Sequence, residues 1–219
     1  MGNKLINNKM QGLYLVTPNW DDTARLLACT ERALAAGAAL VQYRHKDAGT
    51  ELLREQGAAV LALCRRYNRP LVINDHLWLC MALGADGVHV GGTDISVAAA
   101  RAALGPGKIV GASCYGELAL ARSAASAGAS YVAFGGFYPS TVKQYNFSTE
   151  PDIVVRARAE LAVPVVVIGG MTPANAAPLV ERGAAMVAAI TSVYMADDPG
   201  AAVRAFDALF ARAGQQLRM

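Results

Sequence analysis

Eight short apolar runs, separated by Ala-rich stretches of helical spacing, constrain this chain more than any other feature. The runs span 13–17, 40–44, 71–74, 87–90, 109–113, 131–135, 165–168 and 186–190, and most are rich in Val, Ile and Leu. Runs of this length and composition read as strands. The stretches between them, 22–36, 50–67, 76–83, 96–104, 116–127, 151–161, 173–182 and 199–213, read as helices. Strand-then-helix repetition implies parallel strands with right-handed crossovers. Eight such units in 219 residues fit a closed (β/α)8 TIM barrel of the α/β class better than an open doubly wound sheet.

The punctuation agrees. Gly37, Gly84, Gly128 and Gly183 each fall between a helical stretch and the next strand, where a left-handed C-cap is wanted, and each is followed by Ala. No linker or low-complexity segment interrupts 12–219, which is expected to form one barrel domain. Residues 1–11 are polar and Asn/Lys-rich without an apolar core, so they read as a flexible extension and not as a signal peptide.

Composition excludes several classes. Hydrophobic residues make up 54% of the chain and charged ones 17%, which argues against disorder. The net charge of +3 comes without a Lys/Arg block, so a nucleic-acid partner is not expected. No apolar run approaches the roughly 18 residues of a membrane span. The four cysteines, Cys29, Cys64, Cys80 and Cys114, are scattered and form no Cys-x-x-Cys pair. They read as free thiols in a reducing cytoplasm. A homo-oligomer is left open.

In such a barrel, function collects where the strands end. After the second run come Gln42, Arg44 and Lys46, which alternate along the chain and so share a direction toward the barrel mouth. An amide, a guanidinium and an ammonium converging there suit a polyanion; the other reading is a solvated strand end with ion pairs to Asp47. Asn74 and Asp75 follow the third run, and His89 and Asp94 the fourth. Asp75 and Asp94 read either as a Mg²⁺ site, completed by water and a substrate phosphate, or as caps of the helices starting near His76 and Ser96.

Gly169-Gly170, followed by Thr172-Pro173 at a helix start, resembles a phosphate cradle of backbone N–H groups, to which Ile190, Thr191 and Ser192 add further donors. Tight turns that need Gly are the plainer reading. His89 is expected to pack on the inner wall, and Tyr14, Trp78 and Tyr131 to be core or rim residues. Ser113 has no evident paired His, so nucleophilic catalysis is not expected.

With those residues in place, the chain resembles the thiamine-phosphate synthase family over nearly its whole length. The resemblance rests on Val41-Gln42-Tyr43-Arg44-His45-Lys46, Ile73-Asn74-Asp75, Ala85-Asp86-Gly87-Val88-His89, Val110-Gly111-Ala112-Ser113 and Ile168-Gly169-Gly170, all in order. Several of these phrases are common singly; the ordered set is specific. It implies a transferase that joins 4-amino-2-methyl-5-pyrimidinylmethyl pyrophosphate to a thiazole phosphate, giving thiamine monophosphate and pyrophosphate with Mg²⁺ as cofactor. By the same resemblance Arg44, Lys46 and Lys143 are the catalytic cations and Asp75 and Asp94 the metal ligands. Gln42, Asn74 and Ser113 contact the pyrimidine substrate, while Gly170, Ile190 and Thr191 hold the thiazole phosphate.

The chain departs from the family pattern at three places. Gly91-Gly92-Thr93-Asp94 stands where the family usually has Gly-Gln-Glu-Asp, and Thr191 replaces a common Ser. In the long loop after the sixth run, Pro139-Ser140-Thr141-Val142-Lys143 replaces Pro-Thr-x-Thr-Lys. Contact from this loop to the thiazole side then falls to Ser140 and Thr141. Two rival readings are a thiazole tautomerase on a similar barrel and a non-catalytic phosphate-binding barrel. The tautomerase relies on a His where this chain has Gly136, and the non-catalytic barrel is disfavoured by the intact Asp75 and Asp94.

Overall fold

The computed structural model describes residues 10–142 and 146–216. Eight parallel strands close into a barrel in sequence order, the last pairing with the first. They are β1 (Gly12–Val16), β2 (Leu40–Tyr43), β3 (Leu71–Asn74), β4 (Gly87–Val90), β5 (Ile109–Tyr115), β6 (Tyr131–Gly135), β7 (Val165–Ile168) and β8 (Met186–Ala189). Around them lie α1 (Thr23–Ala35), α2 (Thr50–Arg66), α3 (Leu77–Leu83), α4 (Val97–Leu104) and α5 (Leu118–Ser126). The ring is completed by α6 (Asp152–Glu160), α7 (Pro173–Glu181), the single turn α8 (Thr191–Tyr194) and α9 (Pro199–Gln216).

The expected strands and helices are all present, with ends shifted by a few residues. Two details were not expected. β5 continues past Ser113 to Tyr115 through a register shift against β6, and α8 follows β8 directly. Both lie at the rim where the strands end.

Strand periodicity sorts the buried residues into two layers. One face of each strand packs beneath the helices, with Leu13, Leu15, Val41, Ile73, Val88, Val132 and Val187 fully or almost fully buried among α-helical Leu and Ala. The other face fills the barrel interior with Tyr14, Val16, Leu40, Val72, Tyr131, Val166 and Met186. Each fully buried aliphatic side chain contributes roughly 1.5–3 kcal/mol, so both layers are needed for a stable shell. Met10 is buried with the inner layer, so the polar leader read over 1–11 gives way to the barrel no later than that residue. Residues 1–9 lie outside the described residues.

Local signals start and stop the helices. Asp22 and Ser96 accept backbone N–H groups at the starts of α1 and α4, and Thr172 with Asn175 forms a capping box on α7. The glycines expected at helix ends, Gly37, Gly84, Gly128 and Gly183, all have positive φ. All four cysteines are free, three of them buried.

Candidate active site

A cavity of about 380 Å³ opens at the C-terminal ends of the strands. Gln42, Arg44 and Lys46 all border it, as do Asn74, Asp75, Asp94 and Ser113. His45, between Arg44 and Lys46 in sequence, is buried elsewhere and its Nε2 lies 3.0 Å from Asp21. Alternation therefore does sort this segment, although regular strand pairing stops at Tyr43. The turn beyond is pinned by Thr17, whose hydroxyl bonds both the N–H and the carbonyl of Arg44 (2.7 and 2.8 Å). Asn19 accepts from Arg44 Nη1 at 2.9 Å, which steadies the guanidinium.

The expected ion pair of Lys46 with Asp47 is not formed: the half-exposed ammonium pairs with Asp75 at the cavity wall, whereas Asp47 is bonded by Asn19. Nor does either carboxylate cap a helix. His76 is the N-cap of α3, without a side-chain bond, and Ser96 caps α4 through its own hydroxyl. Asp75 takes φ +60°, a left-handed conformation uncommon for a residue with a side chain, and this carries its backbone out of β3. Asp94 accepts the N–H of Gly91 at 2.8 Å, closing a tight loop after β4. Tyr115, also at positive φ, accepts the N–H of Gly92 at 3.0 Å and borders the cavity beside that loop. A Cβ on Gly92 would lie 3.1 Å from the Tyr115 hydroxyl, so the tyrosine covers the side on which another residue would project.

The opposite wall is glycine-built. Gly170 has φ +60°, and a Cβ there would lie 2.2 Å from the Pro139 carbonyl oxygen. The turn after β7 therefore touches the loop after β6 backbone to backbone, which only glycine permits. Asn175 holds the Gly170 carbonyl at 2.9 Å, and Ile190 and Thr191 complete this wall from the end of β8. Ser140 borders the cavity and accepts the N–H of Val142 at 3.2 Å; Val142 borders it too, while Thr141 does not. Lys143 lies outside the described residues.

The floor differs most from expectation. Gln42 Nε2 donates to the Tyr14 hydroxyl (2.6 Å), which is 2.6 Å from the Tyr131 hydroxyl. Tyr131 in turn meets His89 Nδ1 at 2.9 Å, and His89 Nε2 meets Ser113 Oγ at 2.9 Å. Ser113 thus does have a His partner, contrary to the sequence reading, because neighbouring strands bring residues 24 apart together. It is still a poor nucleophile: the group orienting His89 is a phenol, not a carboxylate. Burial pushes the Tyr14 and Tyr131 phenols far above the ordinary range, so both stay protonated. The sequence reading placed these three rings in the interior, as they are, but did not connect them to one another or to Gln42 and Ser113, because each alone looks like an ordinary interior residue. The available signal was that Tyr14, His89 and Tyr131 all fall on inward-facing strand positions.

The class is therefore a (β/α)8 barrel with one charged rim: two cations, two carboxylates and a glycine-built turn around one cavity. The family model described as thiamine monophosphate synthase matches residues 13–193, and the chain belongs to that family. It is 60% identical to the thiamine-phosphate synthase of Janthinobacterium sp. (strain Marseille), over 94% of this chain and 100% of that protein. It is 50% identical to that of Methylobacillus flagellatus, over 92% of this chain and 96% of the relative. The solved thiamine phosphate pyrophosphorylase of Pyrococcus furiosus superposes with a TM-score of 0.82 at 28% identity, covering 95% of this chain and 98% of that one.

Proposed function

We propose that this chain condenses 4-amino-2-methyl-5-pyrimidinylmethyl pyrophosphate with a thiazole phosphate, releasing thiamine monophosphate and pyrophosphate. The observation that carries the proposal is the convergence of Arg44, Lys46, Asp75, Asp94 and the Gly170 turn on one cavity, in a chain of this family. In this reading Arg44, Lys46 and Lys143 bind the pyrophosphate and take up negative charge as the carbon–oxygen bond breaks. The bond's electron pair leaves with pyrophosphate, and the pyrimidinylmethyl cation that remains is stabilised by its ring amine. The thiazole nitrogen then attacks that carbon, so no protein nucleophile is required.

Asp75 and Asp94 would hold magnesium. Two hard carboxylates beside a phosphate-binding rim fit that ion, which commonly takes one or two carboxylates and fills its octahedron with water and substrate oxygen. When bound, magnesium supplies further neutralisation of the leaving pyrophosphate. Asn74, Gln42 and Ser113 orient the pyrimidine, and Gly170, Ile190 and Thr191 seat the thiazole phosphate through backbone donors. Ser140 serves the thiazole side. Thr141, off the cavity wall, would join it only if the loop after β6 closes over the substrates.

The tautomerase reading lacks its base, since Gly136 offers no side chain. The proposal includes a cytoplasmic setting, which four free thiols support. Among the described residues no helix is long and apolar enough to cross a membrane. The test is direct: incubate the protein with both substrates and Mg²⁺ and measure thiamine monophosphate and pyrophosphate. A folded protein that forms neither would sink the proposal.

A further inference from the structure

Asn19, in the turn between β1 and α1, bonds three members of the segment that carries the two cations. Its Oδ1 accepts from Arg44 Nη1 at 2.9 Å and from the Lys46 backbone N–H at 3.3 Å, and its Nδ2 donates to the Asp47 carboxylate. The sense of these bonds is fixed by the partners. A guanidinium and a backbone N–H only donate, and an ionised carboxylate only accepts. Turning the amide over would set donor against donor and oxygen against oxygen. The side chain thus sorts its surroundings by charge, its oxygen toward the cationic side and its nitrogen toward the anion.

The turn that carries Asn19 is itself held on both sides. Before it, the Thr17 N–H donates to the Gln42 carbonyl at 3.0 Å, so the ends of β1 and β2 are joined. After it, the fully buried Gln56 of α2 donates to the carbonyls of Trp20 and Asp21 at 2.9 and 3.3 Å. The Trp20 ring meets the buried Tyr194 edge to face at 5.5 Å. Asn19 therefore projects from a fixed base onto a stretch that has left the sheet, since β2 ends at Tyr43. Arg44 and Lys46 border the cavity, whereas Asn19 and Asp47 do not. Asn19 can act on the site only through its neighbours.

We infer that Asn19 is a positioning residue that holds the Asp47 carboxylate off the Lys46 ammonium and steadies the Arg44 guanidinium, so that both cations meet an incoming pyrophosphate. The identity of that anion rests on the function proposed above. Asp47 follows Lys46 directly in the chain, and a carboxylate so placed competes with a polyanion for the same positive charge. Occupying it with the Asn19 amide removes the competitor without adding a charge of its own. An aspartate at position 19 would keep the two acceptor contacts but could not hold Asp47, and would bring a second negative charge to the cations. The role needs an amide, with both its ends in use.

Calorimetry with inorganic pyrophosphate at saturating Mg²⁺ reads the dissociation constant without turnover. Asn19→Ala should raise it about tenfold, the scale of one competing charge at a partly solvated site. Asn19→Asp should raise it further. Asp47→Ala alone should change it less than about threefold, and added to Asn19→Ala it should bring the constant back to within about threefold of wild type. A merely structural role for Asn19 would give neither that rescue nor an aspartate worse than alanine. Asn19 and Asp47 are both exposed, so these substitutions leave the core intact. Unchanged binding in Asn19→Ala, tighter binding in Asn19→Asp than in Asn19→Ala, or a double variant as weak as Asn19→Ala overturns the inference. A wild type that makes thiamine monophosphate while the constants stay level across the variants sinks the inference alone. A wild type that makes none, with the expected order of constants, sinks the function proposed above and leaves the sorting of charge by Asn19 in place.

Discussion

The ring of Tyr131 occupies the space in which a side chain on Gly111 would sit, with Cζ 2.1 Å and the hydroxyl 2.2 Å from the position of an added Cβ. Both residues are inward-facing partners on adjacent strands, Gly111 on β5 and Tyr131 on β6. The glycine of the Val110-Gly111-Ala112-Ser113 phrase is thus explained by its neighbour's bulk, not by backbone conformation. Gly111→Ala should displace the tyrosine and cost about 1–3 kcal/mol, as overpacking of a tight interior does. For a chain of this size that corresponds to roughly 3–10 °C in melting temperature by calorimetry. An unchanged melting temperature would mean that the barrel interior can yield there.

Asp75 is expected to be indispensable and Cys114 dispensable, although both are near the same rim. Asp75→Ala removes a carboxylate that borders the cavity and leaves the Lys46 ammonium without its partner. Turnover should fall by about a hundredfold or more, with partial recovery at high Mg²⁺ if Asp94 still holds the ion. Cys114 is fully buried on the helix-facing side of β5, and burial pushes its thiol up to about 12, so it supplies no thiolate. Cys114→Ala should change kcat by less than about threefold while lowering stability slightly. Equal losses in the two variants would contradict the map of the site.

The barrel was legible because its signals are local. Each strand is a short apolar run, and four helices end just before Gly37, Gly84, Gly128 or Gly183, so the elements from Gly12–Val16 to Met186–Ala189 need no knowledge of one another. The rim was legible for the same reason: Arg44, Asp75 and Gly170 stand just after strands, and strand ends share one face of a parallel barrel. The floor was not. Tyr14 and Tyr131 are 117 residues apart, and only barrel closure brings their hydroxyls together. The pairing of His89 with Ser113 depends on register between β4 and β5, which sequence pattern does not give. The capping alternatives for Asp75 and Asp94 failed on detail of one or two residues, since His76 and Ser96 occupy the caps instead.

The glycine wall should separate the two substrates kinetically. Gly170→Ala must place a side chain at φ +60° and within 2.2 Å of the Pro139 carbonyl, so the turn after β7 and the loop after β6 have to part. Under the proposed function this disturbs the thiazole phosphate seat while leaving Arg44, Lys46 and Asp75 untouched. The KM for the thiazole phosphate should rise at least about tenfold, with the KM for the pyrimidine pyrophosphate changed less than about threefold. Parallel increases in both would place Gly170 outside a separate thiazole subsite.

Stability should decline on the alkaline side, beginning with the thiols. Burial, the largest cause in each case, pushes Cys64 and Cys114 up to about 12 and Cys80 up to about 11, from an ordinary value of 9.0. Below pH 9.0 the folded and unfolded chains both keep these protons. Above it the unfolded chain releases them and the folded chain does not, so the unfolded state binds fewer protons and stability falls as pH rises toward the folded values. The buried tyrosines, whose ordinary value is 10.0, join this decline only at higher pH. The window from about pH 8.5 to 9.5 therefore isolates the cysteines. Unfolding free energies from urea titrations across that window should fall less steeply for Cys64→Ala than for wild type, because one of the protons retained by the fold is gone. Parallel slopes for the two proteins would show that the Cys64 thiol ionises as readily inside the barrel as in the unfolded chain.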